Sequence, residues 1–263
     1  MLCNVKSYEK WKHLVGKELR YVWRSGVKHD CSKVMEITRT QNAARNTFMN
    51  RLGEAYSLDK EYLYPLLKSS DIGNGRVTSY RKLALITQRA VGQDTSVIRE
   101  RAPKTWNYLK DHEAYLNKRK SSIYKEKPSY AIFGVGDYTF KPWKVAISAL
   151  YKQLSFQLVG PLDEKIVVFD DTANFLPFDT EKEAKFMLEL VTFVPSLEIL
   201  NSMIFWDEKR PDTIRILERL SLKSVSKELG TLDQYLSFAT AIKADATGQF
   251  ELGLAEKQAC YEV

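Results

Sequence analysis

The 263-residue chain reads as an α+β protein, with mixed, largely antiparallel strands and packed helices concentrated in its C-terminal part. Three observations carry that reading. Short apolar stretches rich in β-branched and aromatic side chains, bounded by Gly, Pro, Asn or Asp, dominate the first two thirds. Beyond Thr180 the apolar residues recur at helical spacing instead. No repeat or low-complexity linker separates the two regimes. With 44% hydrophobic and 28% charged residues, the composition suits a buried core.

Taken in order, residues 1–20 are mixed and Lys-rich, with a short helix expected around Trp11 and Leu14. A strand is expected over Leu19–Val22, a turn at Gly26, and a second strand over Lys33–Thr38. The Asn- and Arg-rich stretch Gln41–Tyr56 suits a hairpin or a helix equally. Y-L-Y-P-L-L-K-S-S-D, Tyr62–Asp71, is an apolar anchor ending in a polar cluster, after which Gly73 and Gly75 break the chain. Leu83–Gln88 reads as a strand. Pro103 and Thr105 open a helix from Trp106 to about Lys120, with Trp106, Leu109 and Leu116 on one face and His112 between them. Its basic end, Lys118 to Lys120, suits the helix dipole. A break at Pro128 leads to a hairpin: one strand over Tyr130–Phe133, a Gly134–Gly136–Asp137 turn, and a second strand over Val145–Tyr151. Phe156–Val159 and Ile166–Phe169 are further strands, and D-D-T-A-N-F-L-P-F-D-T reads as an acidic, aromatic turn region. Thr180 caps a helix over Glu181–Thr192, with Glu183 placed for a capping box. Helices follow over Ser196–Phe205, over Thr213–Leu220 and from Thr231, the last with Leu232, Tyr235, Leu236 and Ala239 on its apolar side.

The net charge of +7 favours an anionic partner. The richest stretch for one is Arg119–Ser148, where a basic, hydroxyl-bearing knot precedes a glycine turn carrying Tyr138, Phe140, Lys141, Trp143 and Lys144. Lysines neutralise phosphate and aromatics stack on bases. The plainer alternative is a hairpin with a solvated basic rim, and helix-end charge at Lys118–Lys120. Other chemistries fare worse. Cys3, Cys31 and Cys260 are far apart and form no C-x-x-C pair, so neither a disulfide framework nor a zinc site is expected. No apolar run approaches the ~20 residues of a membrane helix and no signal peptide opens the chain, which points to a reducing cytoplasm. Gly134-Val135-Gly136 lacks the third glycine and the following helix of a dinucleotide loop. It also lacks the aromatic two positions upstream that an adenosylmethionine loop would carry, having Ile132 there. No G-x-S-x-G elbow exists, and His13, His29 and His112 lack metal-ligand spacing. Asp170, Asp171 and Glu183-Ala184-Lys185 have the loose spacing of a magnesium-dependent nuclease, but helix capping explains Glu183 better.

Six segments together resemble one family. They are W-R-S-G-V-K-H-D-C-S-K-V-M-E (Trp23–Glu36), Tyr62–Asp71, R-K-S-S-I-Y (Arg119–Tyr124), I-F-G-V-G-D-Y-T-F (Ile132–Phe140), D-D-T-A-N-F-L-P-F (Asp170–Phe178) and F-W-D-E-K-R-P (Phe205–Pro211). The resemblance is to the C-terminal target-recognition half of TaqI-type adenine-N6 DNA methyltransferases of bacterial restriction–modification systems, and it covers roughly Tyr21–Leu222. In that family an N-terminal domain binds S-adenosylmethionine and holds the flipped adenine with an Asn-Pro-Pro-aromatic motif. This chain has no Asn-Pro-Pro or Asp-Pro-Pro and no cofactor loop, so the expectation is a recognition part without the catalytic half.

The resemblance thus implies a DNA-binding, target-recognition domain over residues 21–228, a preceding segment over 1–20, and a C-terminal helix and tail over 229–263. The implied partners are double-stranded DNA and a methyltransferase catalytic domain or subunit, with no membrane. The expected DNA-contacting residues are Arg24, Lys28, His29 and Lys33; Lys68, Ser69 and Ser70; and Arg119, Lys120 and Ser121. Tyr138, Lys141, Trp143 and Lys144 join them from the hairpin, and Lys209 and Arg210 from the last segment. No catalytic, cofactor or metal residues are expected in this chain, the S-adenosylmethionine belonging to the implied catalytic domain. The competing readings are the nuclease built on Asp170, Asp171 and Glu183, and a module that docks a methyltransferase subunit through Glu181–Leu220 without touching DNA.

Overall fold

The computed structural model describes residues 3–18, 20–40, 47–209 and 214–245. In chain order its strands are β1 (Arg24–Ser25), β2 (Glu36–Arg39), β3 (Thr47–Asn50), β4 (Ala55–Ser57), β5 (Leu63–Leu67), β6 (Lys82–Leu85), β7 (Trp143–Ser148), β8 (Phe156–Val159), β9 (Val168–Phe169) and β10 (Ala173–Phe178). The helices are α1 (Val5–Trp11), α2 (Ser32–Met35), α3 (Ser69–Gly73), α4 (Ile98–Arg101), α5 (Pro103–Asp111), α6 (Glu113–Asn117), α7 (Glu181–Thr192), α8 (Val194–Met203), α9 (Ile214–Leu217), α10 (Leu222–Glu228) and α11 (Leu232–Asp245). The fold is α+β.

Among the described residues the strands form two sheets, ordered β1-β10-β7-β8 and β4-β3-β2-β6-β5-β9. Every pairing is antiparallel except β5 with β9. The smaller sheet is covered on both sides. Leu176 and Phe178 of β10, with Val145 and Ile147 of β7, pack into a core shared with Met187 and Leu190 of α7 and Leu200 of α8. Ala173, Phe175 and Ala146 face the other way, toward Leu67 of β5 and Ile72 of α3. A third cluster lies between the larger sheet and α4–α6, around Ile37, Leu83, Tyr108 and Leu109. Each buried Val, Leu, Ile, Met or Phe among them contributes about 1.5–3 kcal/mol. No single helix among the described residues is long and apolar enough to cross a membrane. The bent pair α7–α8 passes that test by length and composition, and both helices are packed in the core.

Several sequence expectations hold. α1 lies where the first helix was expected, β8 and α7 have the anticipated bounds, and Thr180 Oγ1 accepts the Glu183 amide at 3.3 Å. The open choice at Gln41–Tyr56 resolves as the β3–β4 hairpin for its described part, residues 41–46 lying outside the described residues. Other expectations are corrected. The strand over Leu19–Val22 moves to β1, because Tyr21 and Trp23 are committed to the helix-side core and pairing begins at Arg24 (Leu19 itself is outside the described residues). The strand over Lys33–Thr38 starts only at Glu36, since the Cys31 carbonyl closes a helical turn by accepting the Val34 and Met35 amides. The helix from Trp106 breaks at His112, whose ring is fixed by the Tyr108 carbonyl at 2.7 Å and Glu54 at 2.7 Å. The helix expected from Thr213 is described from Ile214 as α9, with Thr213 outside the described residues.

Two corrections matter for function. The hairpin of Tyr130–Phe133 with Val145–Tyr151 does not form. Tyr130 is left-handed at φ 66°, Phe133 bridges Lys28, and β7 pairs with β8 and β10. The expected turn region from Asp170 is a turn only as far as Thr172, and from Ala173 it becomes β10, an interior strand buried on both faces. Such a strand lacks the polar alternation that marks half-buried ones.

Candidate nucleic-acid interface

The first motif is the thread between the two sheets. Arg24 and Ser25 pair with Phe175 and Asn174, the Val27 amide donates to the Phe169 carbonyl at 2.7 Å, and Lys28 exchanges two hydrogen bonds with Phe133 at 2.8 and 2.9 Å. This crossing is tight. A Cβ on Gly26 would stand 2.2 Å from the Asp170 carbonyl oxygen, so Gly26 is a point of close approach and not the expected turn. Gly134, at φ +66°, passes beneath it, and a Cβ there would meet the Gly26 oxygen at 2.4 Å. The Gly134–Gly136 segment is followed by a single 3-10 turn, Asp137–Phe140, with no helix aimed at a pyrophosphate. Gly134 is used by the chain crossing and Gly136 by the close approach of the Tyr138 ring, and the segment does not fit an adenosylmethionine or dinucleotide loop.

Around the thread, segments distant in sequence meet. The half-buried Arg24 guanidinium lies 4.6 Å from the Tyr138 ring, which leans on Phe175 at 6.3 Å. The Tyr124 hydroxyl donates to the Lys28 carbonyl at 3.2 Å, and the Lys28 ammonium stands 3.7 Å from Asp30. Arg119 stacks on Tyr124 at 3.8 Å and donates to the carbonyls of Leu116 at 2.9 Å and Ala131 at 2.6 Å. It is therefore a clasp for the loop after α6 first, and burial lowers its pKa. Lys33, Lys120 and Lys209 are exposed, without an ion pair to any described residue, while Ser121 is half-buried. Arg210 lies outside the described residues.

The remaining candidates are engaged within the chain, by burial or by a partner side chain. Glu36, 1% exposed, accepts from Lys68 and from Lys82 (2.7 Å), with His29 at 3.7 Å and Lys68 reaching Asp170 at 3.5 Å. Burial would raise the Glu36 pKa, but hydrogen bonds and charge from the two lysines hold its carboxyl below the usual range. Burial pushes the His29 ring below its ordinary pKa, against the opposing pull of Glu36. Ser69 is buried, its hydroxyl on the Thr172 carbonyl. Ser70 is half-buried, its carbonyl accepting from Asn74 and Arg76. Lys141 pairs with Asp179 at 2.7 Å. Trp143 packs over Gly160 into the helix-side core. Lys144 is 1% exposed and donates to the Lys141 carbonyl, and burial lowers its pKa to about 7. Lys144, Ser69 and His29 thus depart from the surface positions expected of them, because their strand ends and turns are enclosed between the sheets.

The chain is similar to a Type II methyltransferase. It is 41% identical over 227 residues to M.NspV of Nostoc sp., an alignment covering 86% of this chain and 46% of the relative. The chain therefore spans about half the length of the methyltransferase it matches. No protein-family model matches it. Among solved structures, the Type IIL restriction-modification enzyme MmeI in complex with DNA aligns at 11% identity and a TM-score of 0.38. That alignment covers 83% of this chain and 34% of MmeI, and the likeness is too loose to carry an argument.

The nuclease reading gains no support from the geometry. The Glu183 carboxylate accepts the Tyr21 hydroxyl at 3.0 Å, and among the described residues no group of three His, Cys, Asp or Glu side chains is placed to hold a metal. Sequence reasoning missed one basic surface, formed by Arg39, Arg81 and Lys82 around Tyr80. Its signal lay in R-V-T-S-Y-R-K, Arg76–Lys82, which interleaves cations, hydroxyls and an aromatic.

Proposed function

We propose that the chain is the target-recognition part of an adenine-N6 DNA methyltransferase of a restriction–modification system. It binds duplex DNA sequence-specifically, while S-adenosylmethionine binding and methyl transfer belong to a catalytic domain or subunit that it works with. The similarity carries this reading: most of the chain aligns with a Type II methyltransferase while matching less than half of it. Two observations support it. The sequence holds no Asn-Pro-Pro or Asp-Pro-Pro, and its only glycine turn resembling a cofactor loop is consumed by the crossing of Gly134 under Gly26.

The thread and the segments beside it supply the means of contact. Lys33 and Lys120 are exposed point charges suited to phosphate, which fixes register without reading sequence. Arg24, held against Tyr138, presents a planar fork able to contact guanine at two atoms. A duplex selected from a random pool, compared with a scrambled one by fluorescence anisotropy at several salt concentrations, tests the assignment. Lys33→Ala and Lys120→Ala are expected to weaken both duplexes alike and to make the slope of log K against log salt shallower by about 0.9 each. Arg24→Lys is expected to cost about 1–3 kcal/mol on the selected duplex and far less on the scrambled one. Absence of salt-dependent binding to any duplex, or saturable S-adenosylmethionine binding by this chain in calorimetry, contradicts the reading.

A further inference from the structure

A cleft of about 520 Å³ opens where β2 ends and β6 begins, lined by Arg39, Tyr80, Arg81 and Lys82 and by Asp163 from the β8–β9 connection. Each cation faces a carboxylate of the chain, but the three pairs differ. Arg81 donates to Asp71 at 2.7 Å and Lys82 to Glu36 at 2.7 Å, and both carboxylates are buried and held by further donors. Arg39 stands 3.5 Å from Asp163, with both side chains 58% exposed. Exposed pairs at that separation contribute little and yield readily.

The turn that carries Asp163 is unusual. Leu162 and Lys165 exchange two hydrogen bonds of 2.9 Å across a two-residue loop, and the loop residues Asp163 and Glu164 are both left-handed, at φ 48° and 60°. Such loops favour Asn, Asp and Gly, so Asp163 suits its position while Glu164 is the strained residue. The turn nevertheless delivers a carboxylate into a basic cleft, where the Tyr80 hydroxyl donates to Asp163 Oδ2 at 2.7 Å. A carboxylate placed between a tyrosine hydroxyl and a guanidinium offers the acceptors that a non-bridging phosphate oxygen would offer.

We infer that this cleft is a second DNA-backbone site, at which Asp163 stands in for a phosphodiester and leaves Tyr80 and Arg39 to it when duplex binds. The inference rests on the proposed DNA-binding function. Asp163 then acts as a threshold: weak or misplaced duplexes compete with it, and a well-seated backbone displaces it.

The test uses the full chain and anisotropy on a fluorescent duplex at low salt. Asp163→Asn keeps an acceptor for Tyr80 but removes the charge, and is expected to tighten binding about two- to fivefold, the scale of one exposed ion pair. Glu189→Gln on α7 makes the same change in net charge on the helix layer and measures the non-local effect, which is expected to be smaller. The gain from Asp163→Asn is expected to disappear in an Arg39→Ala, Tyr80→Phe background. An equal gain from Glu189→Gln, or a gain that survives in that background, overturns the inference while leaving duplex binding itself intact. If no duplex binds at all, titration of Asp163→Asn with inorganic phosphate decides. Saturable binding lost with Arg39→Ala keeps the anion cleft and rejects DNA as its ligand, and no binding rejects the cleft.

Discussion

Lys144 shows what a charged residue in a sequence does and does not disclose. Lys141 and Lys144 read alike as cations beside aromatics, yet one sits at the surface on Asp179 and the other is enclosed next to Phe175. Composition marks the charge, whereas β7 is buried on both faces and decides its exposure. The consequence is measurable. The unfolded chain holds the Lys144 proton up to its ordinary pKa near 10.5, while the folded chain releases it at about 7. Between these values the unfolded state binds more protons, so stability rises with pH, by at most about 1.4 kcal/mol per pH unit from this group. Lys144→Met is expected to be at least as stable as the wild type at pH 7 and to flatten the rise in urea midpoint between pH 7 and 10. An unchanged rise in the variant rejects the assignment.

At the scale of elements, α7 was legible because a cap, a first-turn acid and apolar spacing coincide within one short segment. β10 was not, because Asp, Asn and Pro mimic turn chemistry and its two buried faces remove the alternation. The motif residues 24–28 and 132–140 were legible as unusual, but their role as a crossing needs partners more than a hundred residues away. The crossing predicts a steep response. Gly134→Ala must relieve both a left-handed φ and a Cβ 2.4 Å from the Gly26 oxygen, and is expected to cost about 3 kcal/mol in chemical denaturation. Gly92→Ala, with the same sign of φ and open space around it, isolates the backbone share and should cost about 1 kcal/mol. Equal losses would show that the crossing imposes no packing constraint.

For the whole molecule, the cluster of Glu36, Lys68, Lys82, His29 and Asp170 joins elements of the larger sheet to the thread and to the strand leading into the smaller one. Its members are scattered from residue 29 to residue 170, so no local pattern could reveal it, and Lys68 and His29 read instead as surface contacts. Glu36→Gln leaves two lysines facing a neutral amide and is expected to cost about 3 kcal/mol, the low end for a broken buried pair because both lysines keep some exposure. The cluster also sets acid sensitivity. Burial keeps His29 from taking the proton that the unfolded chain accepts near pH 6.5, so its contribution is full above that pH and drains as pH falls toward the folded value. The contribution of Glu36 is present above about pH 4.5 and is lost as pH falls through its lowered folded value. His29→Gln is expected to flatten the upper part of the acid transition, seen as a smaller loss of urea midpoint between pH 7 and 5. An identical profile in the variant would remove His29 from this account.

The late strands carry one more consequence, for the order in which the chain can fold. β9 completes the larger sheet beside β5, and β10 supplies the partner of β1, so both sheets wait for residues 168–178. During synthesis the first two thirds of the chain emerge with the β5 edge unpaired and the thread of residues 24–28 without its partner on β10. Non-local closure of this kind is slow and leaves strand edges open to wrong partners in the meantime. A break introduced before β9 would therefore leave two incomplete sheets rather than one finished domain and a remnant.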